Sequence, residues 1–219
     1  MTSNSQPQTI TDRSTVAATV ASHPVMAVIR TATIEQARQF VEPVIAGGVR
    51  LLEVTFSVPG ALDLVAELRQ QVPPECVVGM GTVTTAERAR QAVDAGAAFV
   101  VSPNCSAEVA DITRSADRYL VLGSLTPTEI QLAWDLGADL VKVYPLPPVG
   151  GPNYLSTVRQ PLSEIPMLAG GGFPVDEIPA YREAGASAFG IGAPLVDSAQ
   201  RSSVEQVQRA LRLARGLDP

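Results

Sequence analysis

Two ionisable side chains interrupt runs that are otherwise apolar and β-branched: Glu53 in LLEVTF (51–56) and Lys142 in LVKVYP (140–145). A charge set among such neighbours is paired, shifted in pKa, or both, because burying it alone costs several kcal/mol. One reading of the two is a plain salt bridge in the core; the other is chemical. The chain has 16 basic side chains, and Lys142 is its only lysine, the rest being arginine. A GC-rich genome would account for the arginines but not for the exception. Lysine offers what arginine cannot, an amine able to lose its proton and attack a carbonyl. A glutamate beside it would be a general acid or base.

Other candidate positions end similar runs. Arg30 closes MAVIR (26–30) and suits either an anion clamp or a structural ion pair. Thr82 closes VVGMGT (77–82) and suits either a carboxylate contact or a turn. Gly170, Gly171 and Gly172 precede a helix expected to open at Pro174, which suits a cradle of backbone N–H groups for an anion, or only a tight turn. His23, Cys76 and Cys105 read as loop or packing residues, Trp134 as core packing, and Glu87, Arg88, Arg90 and Asp94 as a solvated helix face.

The composition excludes several classes. A net charge of −6 without a Lys/Arg cluster gives no footprint for nucleic acid. One histidine makes a His-rich metal site or a His-based triad an improbable design, and two cysteines are too few for a disulfide scaffold, so a reducing cytoplasm is expected. No apolar run approaches the ~20 residues that span a bilayer. Residues 1–14 are polar and lack the apolar stretch of a secretory signal, so residues 1–20 read as a leader or short capping helix and 21–219 as one domain.

The elements that must position these residues show in the alternation of pattern. Eight short apolar runs begin near residues 26, 51, 77, 99, 119, 140, 166 and 188, and helical periodicity fills the gaps. Thr33 and Thr85 stand where N-caps belong, and AGG, AGA, LGA and AGA at 46–48, 95–97, 136–138 and 184–186 supply glycine stops. Pro43 is expected to kink or shorten its helix. Eight β-α repeats in ~190 residues imply a single-domain (β/α)8 barrel. A doubly wound sheet fits less well, since no nucleotide-binding glycine loop follows the first run. In a barrel, strand C-terminal ends carry the chemistry, and those are where the candidates fall.

From Val25 to about Arg215 the chain resembles the 2-keto-3-deoxy-6-phosphogluconate (KDPG) and 4-hydroxy-2-oxoglutarate (KHG) aldolases, class I pyruvate aldolases. The stretches that carry the resemblance include AVIR, GGVRLLEVTFSVPGA, GMGTVTT, LGADLVKVYP, AGGGF and GIGAPLV. It implies Lys142 as the Schiff-base lysine and Glu53 as the general acid/base. It also implies Arg30, Thr82 and Ser57 near the pyruvate carboxylate, and Gly171, Gly172, Gly192 and Ala193 in the phosphate loops. It further implies an anionic sugar-acid substrate, no cofactor, no metal and a homotrimer. Three departures stand out. Ser57 replaces an arginine found in one branch, so Arg30 must supply that charge. Gly170 and Ala193 each lack a hydroxyl the family often carries, which puts strict dependence on a 6-phosphate in question. Cleavage of the 6-phosphogalactonate epimer, or a non-catalytic sugar-acid-binding barrel, are the alternatives.

Overall fold

The structure, a computed structural model, describes residues 12–217. Its eight strands are β1 (Val25–Ile29), β2 (Leu51–Thr55), β3 (Val77–Gly81), β4 (Phe99–Val101), β5 (Tyr119–Ser124), β6 (Leu140–Val143), β7 (Met167–Gly170) and β8 (Ala188–Ile191). All neighbours pair in parallel and β8 closes on β1, giving a closed (β/α)8 barrel. Helix α1 (Arg13–Ser22) precedes β1, and the outer ring is α2 (Ile34–Ala46), α3 (Ala61–Gln71), α4 (Ala86–Asp94), α5 (Ala107–Ser115), α6 (Pro127–Asp135), α7 (Gly151–Arg159), α8 (Ile178–Glu183) and α9 (Ser203–Ala214).

Side chains alternate across each strand, so one set fills the barrel and the other packs under the helices. The inner set joins Met26, Leu51, Val77, Phe99, Tyr119, Leu140, Leu168 and Ala188, and Val16 and Val20 of α1 pack onto it. Helix α1 therefore plugs the end of the barrel where the strands begin. It is pinned there by Arg13, whose guanidinium lies 2.7 Å from Asp139, a carboxylate that also accepts the Leu120 amide. Residues 1–11 of the expected leader lie outside the described residues.

Several local expectations need correction. Most strands end one to three residues early, because their last residues turn away into loops. Helix α2 runs through Pro43 to Ala46. Its left-handed stop is Gly48 (φ 100°) and not Gly47, whose φ is −75°. A 3-10 turn (Val175–Glu177) follows Pro174, so the glycine triplet faces no regular helix start. Trp134 on α6 is 39% exposed rather than core.

The arginines gain a structural account. Arg69, Arg114 and Arg182 each donate to a carbonyl where the next helix ends, at Ala95, Leu136 and Leu213. The flat, many-donor guanidinium suits the orphan carbonyls and negative dipole end of a helix. These three arginines thus serve the scaffold on the face opposite the strand C-termini, away from the lone lysine.

Candidate active site

The inward positions of β3, β5, β7 and β8 turn to glycine toward the strand C-termini, at Gly79, Gly81, Gly123, Gly170 and Gly190. The spaces at Gly79, Gly81 and Gly123 are taken by the Phe99 ring, the Glu53 carboxylate and the Pro103 backbone, and beyond them a cavity of about 620 Å³, which Gly190 helps to line, opens. Arg30, Thr82, Lys142 and Tyr144 line it, together with Gly171, Gly172, Gly192 and Ala193. A second hollow of about 430 Å³, between α4 and α5 on the outer ring, is lined by Arg90, Asp94, Asp111 and Ser115 and holds neither the lysine nor a buried charge.

Lys142 and Glu53 meet across the barrel beneath the cavity, with Nζ 3.7 Å from Oε1. Glu53 is 1% exposed and its Oε2 has no hydrogen-bond partner. A core salt bridge would close to hydrogen-bond length and satisfy both oxygens, since a half-paired buried charge is costly. This pair does neither, and that counts against the plain structural reading. Burial pushes the Glu53 carboxyl above the ordinary glutamate range, with the nearby charges of Lys142 and Arg30 opposing the shift. Such a carboxyl can hold and release a proton closer to neutral pH. A β-carbon at Gly81 would overlap the Glu53 carboxylate, so the glutamate occupies space that only glycine leaves.

Arg30 projects from the end of β1 and donates from Nη1 to Ser57 Oγ at 2.9 Å and from Nη2 to Thr82 Oγ1 at 3.0 Å. Among the described residues no carboxylate lies within ion-pair distance of it, which favours the anion-clamp reading over a structural pair. Thr55, fully buried, donates its hydroxyl to the Ile29 carbonyl and lies 2.7 Å from Ser57 Oγ, so Ser57 is itself held. Thr82 adopts φ 60°, a conformation costly for a β-branched residue. Arg88, read from sequence as solvated, is half-buried: it donates to the Thr82 carbonyl at 3.3 Å and to Thr84 Oγ1 at 3.1 Å, and lies over the Phe56 ring. A cation in the first turn of α4 opposes the helix dipole, and its hold on the Thr82 carbonyl explains the placement.

The model of the KDPG and KHG aldolase family matches residues 16–210. The chain belongs to that family. It is 32% identical over 157 residues to the 2-dehydro-3-deoxy-phosphogluconate aldolase of Treponema pallidum, covering 72% of this chain and 74% of that one. Against the KHG/KDPG aldolase of Escherichia coli it is 32% identical over 149 residues, 68% and 70% of the two chains. The crystal structure of the 2-keto-3-deoxy-6-phosphogluconate aldolase of Zymomonas mobilis with 3-phosphoglycerate superposes with a TM-score of 0.77 at 27% identity, covering 93% of this chain and 96% of that one.

In this member of the KDPG and KHG aldolase family the rim opposite Arg30 is made of backbone. The amides of Gly171, Gly172 and Ala193 donate to no protein acceptor among the described residues, and all three residues line the cavity. Gly171 and Gly172 hold φ values of 135° and 80°, which glycine adopts without penalty. The structure thus gathers Glu53, Lys142, Arg30, Ser57, Thr82, Gly171, Gly172, Gly192 and Ala193 around one space. Ser102 and Asn104 bond each other instead of facing it. Three residues carry more than the sequence assigned to them: Tyr144 and Thr55, which received no role, and Arg88, which read as solvated surface. Tyr144 was legible, because two residues beyond Lys142, just past the end of β6, it continues the inward side of that strand. Thr55 stands likewise two residues beyond Glu53, whereas nothing in the sequence marks Arg88. Among the described residues no three His, Cys, Asp or Glu side chains are grouped to hold a metal ion, and no helix is long and apolar enough to cross a membrane.

Proposed function

We propose that this chain is a class I aldolase that cleaves 2-dehydro-3-deoxy-6-phosphogluconate to pyruvate and glyceraldehyde 3-phosphate. The observation that carries the reading is the only lysine, at the base of a cavity, 3.7 Å from a buried carboxylate with one unpaired oxygen. The Lys142 amine adds to the C2 ketone, and loss of water gives a protonated imine that acts as the electron sink. Glu53 takes the C4 hydroxyl proton, directly or through a water. The C3–C4 bond breaks, the aldehyde leaves, and its electron pair forms the enamine. Protonation at C3 and hydrolysis then release pyruvate and restore the amine. No step calls for a metal. Arg30, with Ser57 and Thr82, would hold the substrate carboxylate, and Arg30 brings to Ser57 the charge that one branch of the family carries at that position.

At the far end, Gly171, Gly172, Gly192 and Ala193 would meet the phosphate with backbone N–H groups alone. Because no hydroxyl or cation side chain reinforces that rim, unphosphorylated 4-hydroxy-2-oxoglutarate is the second substrate we propose, giving pyruvate and glyoxylate. Borohydride added with pyruvate is expected to fix a three-carbon adduct on Lys142, the only side-chain amine in the chain. Intact-mass and peptide spectra without that gain would sink the imine mechanism. We also propose a homotrimer in a cytoplasmic setting, on the family resemblance. Light scattering should then report three times the 23.0 kDa chain mass, and a monomer peak would refute it.

A further inference from the structure

Four polar side chains line the cavity among the described residues: Arg30, Thr82, Lys142 and Tyr144. Three are occupied with protein partners. Arg30 donates to Thr82, and Lys142 faces Glu53. The Tyr144 hydroxyl makes no hydrogen bond with any described residue. A phenol hydroxyl that lines a cavity and has no protein partner is a contact available to a ligand.

Its position says which part of a ligand. Tyr144 follows Lys142 by two residues and faces the same way, with its ring centroid 5.6 Å from Nζ. It is 41% exposed and lines the cavity. Its amide is anchored to the Ser124 carbonyl at 2.9 Å. On the other side stands the bare backbone of Gly170, where a β-carbon would come within 3.2 Å of Lys142 Cε and 3.7 Å of Tyr144 Cδ2. The groups suited to the carboxylate, Arg30, Ser57 and Thr82, come from the ends of β1, β2 and β3 across the barrel. A substrate fixed at Nζ with its carboxylate toward those strands runs its remaining carbons back along β6 and β7, past the phenol.

We infer that Tyr144 is a specificity-determining residue whose hydroxyl hydrogen-bonds a hydroxyl group on the carbons that leave as the aldehyde. The inference rests on the imine-forming role proposed for Lys142. Selecting hydroxylated over plain aldehydes by such a contact is effective, because the phenol is left unpaired when the hydroxyl is missing.

The test is Tyr144→Phe, which keeps the ring and its contact with Lys142. Aldol addition of pyruvate is measured with glyceraldehyde and with propanal, which lacks the hydroxyls. The ratio of kcat/KM for glyceraldehyde over propanal is expected to fall about five- to tenfold, while borohydride trapping of pyruvate stays at the wild-type level. An unchanged ratio overturns the inference, as does an equal loss on both aldehydes, which a purely structural role would give. Loss of trapping in the variant would likewise overturn it, by showing that the hydroxyl serves the lysine. Absence of trapping in the wild type would instead remove the aldolase reading on which the inference stands.

Discussion

Lys142→Arg is expected to leave the barrel folded and to reduce carbon–carbon bond cleavage by roughly four orders of magnitude or more. The substitution keeps a positive charge opposite Glu53 and keeps most of the aliphatic stem. It removes the one property that the proposed chemistry cannot lack, since a guanidinium stays protonated at any working pH and offers no free electron pair. A function that used Lys142 only as a counter-charge for Glu53 would survive the change. The pair is open at 3.7 Å and bare backbone at Gly170 lies beside the lysine stem, so the larger head group has room to adjust. Cleavage assays on both proposed substrates, with a melting curve to show that the fold is kept, give the comparison. Substantial turnover by the arginine variant would refute the nucleophilic role.

Glu53→Gln is expected to slow cleavage by roughly two to four orders of magnitude while pyruvate still becomes trapped on Lys142. The amide fits the same buried space beside Gly81 but cannot take a proton from the C4 hydroxyl. Near-normal turnover would reject the role assigned to Glu53. The pH profile gives a second reading. Burial raises the Glu53 carboxyl, so the acid limb of kcat/KM in the wild type should lie above the ordinary glutamate range, and the glutamine variant should lack that limb. Stability moves the other way. A carboxyl with a higher pKa folded than unfolded binds more protons in the native state between the two values. The wild type therefore loses stability as pH rises from the unfolded glutamate value through the folded one, and Glu53→Gln should flatten that fall. Denaturant titrations at a series of pH values would show it. A carboxylate kept for catalysis at the expense of stability is what such a curve would describe.

How much of the fold is legible in the sequence depends on the kind of signal. The barrel was legible because eight buried parallel strands must be apolar on both faces and must alternate with helices, and both patterns are local in sequence. Glu53 and Lys142 were legible for the same reason, as charges that break an otherwise apolar run. Trp134 misled because helical spacing fixes which residues share a stripe but not whether that stripe faces the sheet or the solvent. The helix expected to open at Pro174 begins instead as a 3-10 turn and becomes α-helical only at Ile178, because a proline opens either kind of turn and the packing that follows settles the bonding pattern.

The arginine excess shows the division most clearly. Its count pointed to a special lysine, but the work of Arg69, Arg114 and Arg182 on the helix ends appears only once neighbouring β-α units are side by side. Likewise Arg30, Ser57 and Thr82 are separated by 27 and 52 positions from the first to each of the others, and parallel pairing of β1, β2 and β3 brings them within hydrogen-bond distance. Residue types and periodicity established the architecture and singled out the two buried charges, because each depends on burial along a single strand. The 3.7 Å gap between those groups, the hold of Arg88 on a strained Thr82 and the unengaged hydroxyl of Tyr144 depend on atoms from different strands and helices. Only closure of the barrel sets those distances.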